Sequence, residues 1–209
     1  MRGFPRLYAI VDRATLDARG IPVREFAREL REAGVRLVQY RDKVNGPQEI
    51  LRAANEIDEA FEGAEVTRIM NDRADLAVLA GWDGVHVGQG DLGVEAARRV
   101  LGADKLVGIS THNEEQIKVA VQSAPDYVAV GPVFRTVSKA NADPVVELEL
   151  VRKARALTER PLVAIGGITL ANARSVIEAG ADSIAVIGGL LLEGERPGKL
   201  VKDFLEALR

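Results

Sequence analysis

The sequence predicts an α/β fold, a TIM (β/α)8 barrel forming a single domain over residues 1–209. Two observations carry this expectation. Eight short apolar runs alternate with longer stretches of helical period, and the runs are almost continuously apolar, as parallel strands covered on both faces are. A helix-to-strand joint also recurs along the chain: Ala33-Gly34-Val35-Arg36-Leu37-Val38, Ala80-Gly81-Trp82-Asp83-Gly84-Val85, Ala124-Pro125-Asp126-Tyr127-Val128 and Ala179-Gly180-Ala181-Asp182-Ser183-Ile184. Its glycine suits the position after a helix that needs positive φ. The 209 residues spread over eight units give about 26 each, the compact end of the fold. An open doubly wound sheet shares the same alternation and is the rival architecture.

In chain order, strands are expected at Leu7–Val11, Leu37–Tyr40, Arg68–Met70, Gly84–Val87, Leu106–Ile109, Tyr127–Val130, Leu162–Ile165 and Ser183–Ile187. Between them, Val23–Ala33 places Val23, Phe26, Ala27 and Leu30 on one helical face, and Pro47–Phe61 does the same with Ile50, Leu51, Ala54, Ile57 and Phe61. Further helices are expected at Arg73–Leu79, Val94–Leu101, Glu114–Gln122, Glu147–Thr158, Leu170–Ala179 and Lys199–Leu208. The 111–114 segment and Thr169 offer N-caps. Pro161 ends the helix before the seventh strand.

Composition excludes several function classes. Lys+Arg number 28 against 31 Asp+Glu, a formal net charge of −3, so the basic surplus of a phosphate-reading nucleic-acid binder is missing. With no cysteine, disulfides, Cys-zinc sites, iron–sulfur clusters and thiol nucleophiles are out. The first apolar run is five residues long and ends at Asp12, too short for a signal peptide, and no stretch spans a membrane. A cytoplasmic protein is expected.

Active sites of such barrels lie where strands end and run into helices. After the second strand come Gln39-Tyr40-Arg41-Asp42-Lys43; Gln39, Arg41 and Lys43 share a face while the chain stays extended, making an anion site or a solvated charge cluster. After the third and fourth strands come Asn71-Asp72-Arg73 and Gly88-Gln89-Gly90-Asp91. Asp72 and Asp91 either converge on a hard cation such as Mg2+ or cap the helices that follow. Ser110-Thr111-His112 follows the fifth strand. Ser110 reads as an anion or substrate ligand or as a nucleophile, His112 as a helix-start residue or a proton carrier, and His86 as structural. After the sixth strand, Gly131 to Lys139 offers two hydroxyls and a lysine for phosphate, and the 140–144 stretch reads as a lid or an ordinary loop. Gly166-Gly167 and Gly188-Gly189 follow strands seven and eight, the recurrent phosphate site of these barrels. The residues therefore describe two anion sites: a glycine cradle for a phosphate monoester, and cations with two acids for a Mg2+-bound diphosphate. Arg41, Lys43 and Lys139 would neutralise a departing diphosphate.

The chain resembles the thiamine phosphate synthase family along nearly its whole length. The resemblance rests on the segments 7–12, 38–43, 70–77, 83–92, 108–112, 131–139, 164–168 and 180–187, in that order. It implies a TIM-barrel transferase that joins a pyrimidine carrying a diphosphooxymethyl group to a thiazole phosphate, releasing diphosphate by dissociative displacement. By that resemblance, Gln39, Tyr40, Arg41, Asp42, Lys43, Asn71, Ser110 and Lys139 hold the pyrimidine diphosphate. Asp72 and Asp91 hold Mg2+. Thr136, Val137, Ser138, Gly167, Ile187 and Gly188 hold the thiazole phosphate. Arg41, Lys43, Ser110 and Lys139 are the implied catalytic groups. Its partners are small-molecule substrates, with no nucleic acid and no membrane, and a homo-oligomer is compatible with it.

The sequence departs from the family pattern on the thiazole side. Ser138 stands for threonine, Arg135 for proline and Gly188 for serine, and the 140–144 stretch lacks a glycine. Two alternatives share the fold: a thiazole tautomerase using a histidine such as His112, and a catalytically silent barrel that binds thiazole phosphate.

Overall fold

Alternate residues of each strand serve two different layers, which is why the strands read as unbroken apolar runs. The protein is described by a computed structural model over residues 4–135 and 144–209. Its strands are β1 (Leu7–Asp12), β2 (Leu37–Arg41), β3 (Thr67–Asn71), β4 (Gly84–Val87), β5 (Leu106–Thr111), β6 (Tyr127–Val130), β7 (Leu162–Ile165) and β8 (Ser183–Val186). All pair in parallel, in chain order, and β8 returns to β1 to close the barrel. The open-sheet rival is thereby excluded.

One set of strand residues fills the barrel interior: Tyr8, Ile10, Leu37, Ile69, Tyr127, Ala129, Val163 and Ala185. The other set, including Val11, Val38, Tyr40, Met70, Val128 and Ile184, packs under the helices. These are α1 (Arg13–Asp17), α2 (Val23–Glu32), α3 (Pro47–Ala60), α4 (Ala74–Leu79), α5 (Val94–Leu101), α6 (Glu114–Gln122), α7 (Glu147–Leu157), α8 (Ala173–Glu178) and α9 (Pro197–Ala207). Helix α2 buries Val23, Phe26, Ala27 and Leu30, as its spacing predicts. Each large apolar side chain buried this way contributes about 1.5–3 kcal/mol.

Four local features differ from expectation. Helix α1 is absent from the sequence reading because it spans five residues and has a single buried side chain, Leu16. The Asp12 carboxylate creates it, accepting from Thr15 N at 2.9 Å and Thr15 Oγ1 at 2.6 Å. Helix α8 begins at Ala173 rather than Leu170, and the Thr169 hydroxyl is no cap. Asn172 is drawn into the preceding loop instead, accepting from Thr169 N at 2.8 Å and donating to Gly167 O at 3.1 Å. Helix α9 starts two residues early, with Pro197 in the first turn where no amide partner is lost. A 3-10 turn, Gly188–Leu190, follows β8. Of the expected N-caps, Asn113 performs as predicted, accepting from Gln116 N at 2.9 Å.

The recurring joint is real and slightly shifted. Gly34, Gly81 and Gly180 have φ of 89°, 69° and 113°, and Ala124, not Pro125, takes the equivalent left-handed position at 55°. At three joints the aspartate two residues on latches the previous strand. Asp83, Asp126 and Asp182 accept from Arg68 N, Val107 N and Leu162 N at 2.8, 2.7 and 2.8 Å. Their own amides return a bond to the carbonyls of the same three residues, at 3.0, 2.8 and 2.8 Å. An arginine flanks each: Arg68, Arg98 and Arg155. These latches sit at the amino-terminal end of the barrel, opposite the site.

Candidate active site

The strand ends surround a cavity with two unlike arcs. Gln39, Arg41, Asn71, His86 and Ser110, from β2 to β5, form a polar arc. Ala129, Val163, Ile165, Ala185 and Ile187, from β6 to β8, form an apolar one with Ile10.

Arg41 is held from below. Its Nη1 donates to Asp12 Oδ2 at 2.5 Å, and Asp12 is only 2% exposed. Asp12 thus does two jobs, capping α1 and fixing a cation at the mouth of the cavity. Gln39 is buried and donates through Nε2 to Tyr8 Oη at 2.8 Å. Asn71 Nδ2 is buried with no hydrogen-bond partner among the described residues. Such a donor costs free energy unless a ligand or water supplies an acceptor.

The rim above β2 to β4 carries the charges. Lys43 Nζ lies 2.9 Å from Asp72 Oδ2. Asp72 has φ of 60°, an uncommon left-handed conformation for a residue with a side chain, and its amide donates to His86 O at 2.7 Å. Burial raises the Asp72 carboxyl above the usual aspartate range; Lys43 opposes this, and the adjacent Asp91 carboxylate adds to it. The two acids therefore converge, as a shared cation requires. Neither caps its helix: the residues before α4 and α5 are Arg73 and Gly93, without side-chain capping bonds. Asp91 instead accepts from Gly88 N at 2.8 Å. No group of three or more His, Cys, Asp or Glu forms a metal cluster among the described residues. Two oxygen-donor carboxylates beside Lys43 nonetheless have the chemistry that suits Mg2+, a cation that completes its shell with water and other oxygens.

Tyr40 and Asp42 do not join the cavity. The Tyr40 side chain is buried under the helices, and its hydroxyl donates to Asp42 Oδ2 at 2.9 Å. Asp42 in turn accepts from Val44 N, Asn45 N and Asn45 Nδ2, each at 2.9 Å. The pair shapes the loop that carries Lys43.

On the opposite side, Gly167 has φ of 64°, and a Cβ there would stand 2.4 Å from Arg135 O. Gly166 has φ of 101°, with a Cβ that would meet Pro132 at 2.5 Å. These glycines let the loop after β6 fold over β7, where Val133 N and Phe134 N donate to Ile165 O and Gly166 O at 2.9 and 3.0 Å. Ile187 lines the cavity, and Gly188 begins the 3-10 turn. Thr136, Val137, Ser138 and Lys139 lie outside the described residues, as does all of the 140–144 lid or loop except Pro144.

The two histidines have different surroundings. His86, read from the sequence as structural, turns its ring into the cavity wall: Nε2 lies 2.8 Å from Ser110 Oγ and Nδ1 3.0 Å from Tyr127 Oη. His112 points elsewhere, its Nδ1 2.6 Å from Gly131 O. Asp12, Tyr8 and Tyr127 were missed as site residues. A period of two along β1 was the available signal, since Tyr8, Ile10 and Asp12 share a face.

Comparison with known proteins identifies the family. Residues 7–190 match the family described as thiamine monophosphate synthase. The thiamine-phosphate synthase of Koribacter versatilis is 52% identical over 98% of this chain and 96% of its own. That of Methanocella arvoryzae is 41% identical over 88% and 86%. A solved structure of thiamine phosphate pyrophosphorylase from Pyrococcus furiosus superposes with a TM-score of 0.85 at 29% identity, covering 97% of this chain and 95% of that one. A 3-hexulose-6-phosphate synthase structure, at 18% identity and TM-score 0.68 over 97% and 99%, shares the fold. By sequence over almost its full length and by the closed barrel it builds, the chain belongs to the thiamine monophosphate synthase family.

Proposed function

We propose that the protein is a thiamine phosphate synthase that couples 4-amino-2-methyl-5-(diphosphooxymethyl)pyrimidine to 4-methyl-5-(2-phosphooxyethyl)thiazole, or its carboxylated form, and releases diphosphate. The observation that carries this reading is the meeting of Lys43, Asp72 and Asp91 beside a cavity lined by Gln39, Arg41, Asn71 and Ser110. Family membership supports it independently.

In this reading the pyrimidine ring lies between the two arcs, its polar edge toward Gln39 and Asn71. Its diphosphate meets Arg41, Lys43, Ser110 and Lys139. Asp72 and Asp91 are the residues to hold Mg2+, which when bound neutralises charge on a leaving diphosphate. The methylene C–O bond breaks with its electron pair leaving on diphosphate. Arg41 and Lys43 stabilise that developing charge, and Asp12 keeps Arg41 in place. The apolar arc excludes water from the cationic methylene until the thiazole nitrogen attacks it. No strong base is needed. The thiazole phosphate is received by the backbone of Gly167 and Gly188, near the short 3-10 turn, with Thr136, Val137 and Ser138.

The tautomerase reading is not favoured, because the relatives that match the chain over most of its length carry the synthase name. The test is an end-point assay for thiamine phosphate with both substrates, with and without Mg2+, on the wild type and on Asp72→Asn. Product from the wild type only with Mg2+, and none from a folded Asp72→Asn, is the expected result. Product in excess chelator, or full activity of the variant, overturns the metal assignment. No product under any condition overturns the synthase.

A further inference from the structure

A continuous chain of hydrogen bonds crosses the barrel floor. Gln39 Nε2 lies 2.8 Å from Tyr8 Oη, and Tyr8 Oη 3.0 Å from Tyr127 Oη. Tyr127 Oη lies 3.0 Å from His86 Nδ1, and His86 Nε2 2.8 Å from Ser110 Oγ. Five side chains from five strands are linked with no water between them. Room for the middle link comes from Gly108, where a Cβ would fall 2.0 Å from the Tyr127 ring. That ring in turn stacks on His86, with centroids 5.5 Å apart.

The proton count along this chain has a direction. The Gln39 amide nitrogen can only donate. Tyr8 Oη therefore accepts from it, and the arrangement that gives both phenol hydrogens an acceptor among these partners has Tyr8 donating to Tyr127 Oη. Tyr127 then spends its hydrogen on His86 Nδ1. A neutral imidazole with an accepting Nδ1 carries its hydrogen on Nε2, which donates to Ser110 Oγ. Among the described residues Ser110 Oγ has no other side-chain partner, so its hydrogen is left for the cavity.

We propose that Tyr8 and Tyr127 are positioning residues: the one-way chain from Gln39 holds His86 as the Nε2–H tautomer and makes Ser110 a hydrogen-bond donor to the substrate anion. Full burial raises both phenols well above the ordinary tyrosine range, so each brings one hydrogen throughout the working pH range. The consequence runs against first appearance. A serine 2.8 Å from a histidine has the look of a nucleophile and its base. An imidazole that is donating through Nε2 cannot take the serine proton, so this pair binds and does not attack. The role of Ser110 toward diphosphate rests on the function proposed above; the tautomer does not.

The test has two arms. In the first, the full-length protein, labelled with 15N-histidine and free of substrate, is examined by NMR at a pH where His86 is neutral. The sequence has two histidines, so a His112→Gln sample completes the assignment. The expected spectrum has protonated Nε2 and unprotonated Nδ1 for His86, with that preference lost in Tyr127→Phe. Protonated Nδ1 in the wild type means the chain runs the other way and overturns the proposal. In the second arm, the affinity for inorganic diphosphate with Mg2+ is measured in a double-mutant cycle. Tyr127→Phe should weaken binding about fivefold in the wild type and have no further effect in Ser110→Ala. Equal losses in both backgrounds overturn the proposal. Tyr8→Phe breaks the chain one link earlier and replaces Tyr127→Phe if that variant does not fold. A protein with the expected tautomer and no synthase activity fails the function and keeps the tautomer assignment.

Discussion

Asp12, the last residue of β1, holds Arg41, the last residue of β2, at 2.5 Å, across a register in which the two are direct partners. Removing the acid leaves a guanidinium 16% exposed without its counter-charge and uncaps α1. Asp12→Ala should cost about 3 kcal/mol in denaturant unfolding, at the lower end of a broken buried pair because Arg41 keeps some water. Asp12→Asn, which keeps the cap acceptor, should cost less stability while still raising KM for the pyrimidine diphosphate. A Michaelis constant unchanged in both variants would falsify the assignment of Arg41 to that substrate.

Gly167 and Gly20 share a φ of 64° but not their surroundings. An alanine at 20 meets nothing within 4 Å, whereas one at 167 meets Arg135 O at 2.4 Å. Gly20→Ala should therefore lose only the left-handed penalty, about 1–2 kcal/mol, with kinetics unchanged. Gly167→Ala should lose more, and KM for the thiazole phosphate should rise while that for the pyrimidine diphosphate stays put. Measuring both constants in both variants separates strain from displacement of the loop.

Asp42 is a loop organiser whose charge state matters. Burial pushes its carboxyl up, but bonds from Asn45, Val44 and Tyr40 outweigh that and hold it below the usual aspartate range. A folded-state pKa below the unfolded one contributes stability above the unfolded value, and loses it as pH falls through the folded value. Asp42→Ala should cost about 1–2 kcal/mol at neutral pH, a charged hydrogen-bond acceptor being lost. The gap between variant and wild type should close on acidification below about pH 4. Unfolding curves at several pH values check the sign.

Asp126 latches β5 from the far end of the barrel, taking Val107 N at 2.7 Å with Arg98 alongside. Asp126→Ala should lower stability by about 1–2 kcal/mol and leave kcat/KM for both substrates as it was. A fall in kcat/KM without loss of stability would mean that the two ends of the barrel are coupled.

The barrel was legible because eight apolar runs with regular spacing leave few other solutions. The rim of the site was legible too. Arg41, Lys43, Asn71, Asp72 and Asp91 stand just past strands, where a polar residue announces itself. The floor was not. Tyr8 and Tyr127 lie inside strands apolar on both faces; only the shared face of Tyr8 with Asp12 along β1 marks the inward side, and β6 has no such mark. His86 was read as structural for the same reason. Helix α1 escaped because one aspartate side chain creates it, not a periodic face. The contact of Ser110 with His86 on the neighbouring strand was not legible, because 24 residues separate the two in sequence and only strand pairing brings them together.

The aspartate latches recur before β4, β6 and β8, and the joint before β2 carries Arg36 in the corresponding place, paired to Glu65 at 3.0 Å. Three strand pairs, β3–β4, β5–β6 and β7–β8, are thus fastened at the end remote from the cavity, while Arg36 reaches forward to the segment before β3. Each fastened pair is a cassette with its closure on one side and its exposed loops on the other. Loops can be exchanged or lengthened at the open end without touching the fasteners, so a change of substrate need not renegotiate how the ring shuts. The molecule keeps its inheritance at one pole and its inventiveness at the other.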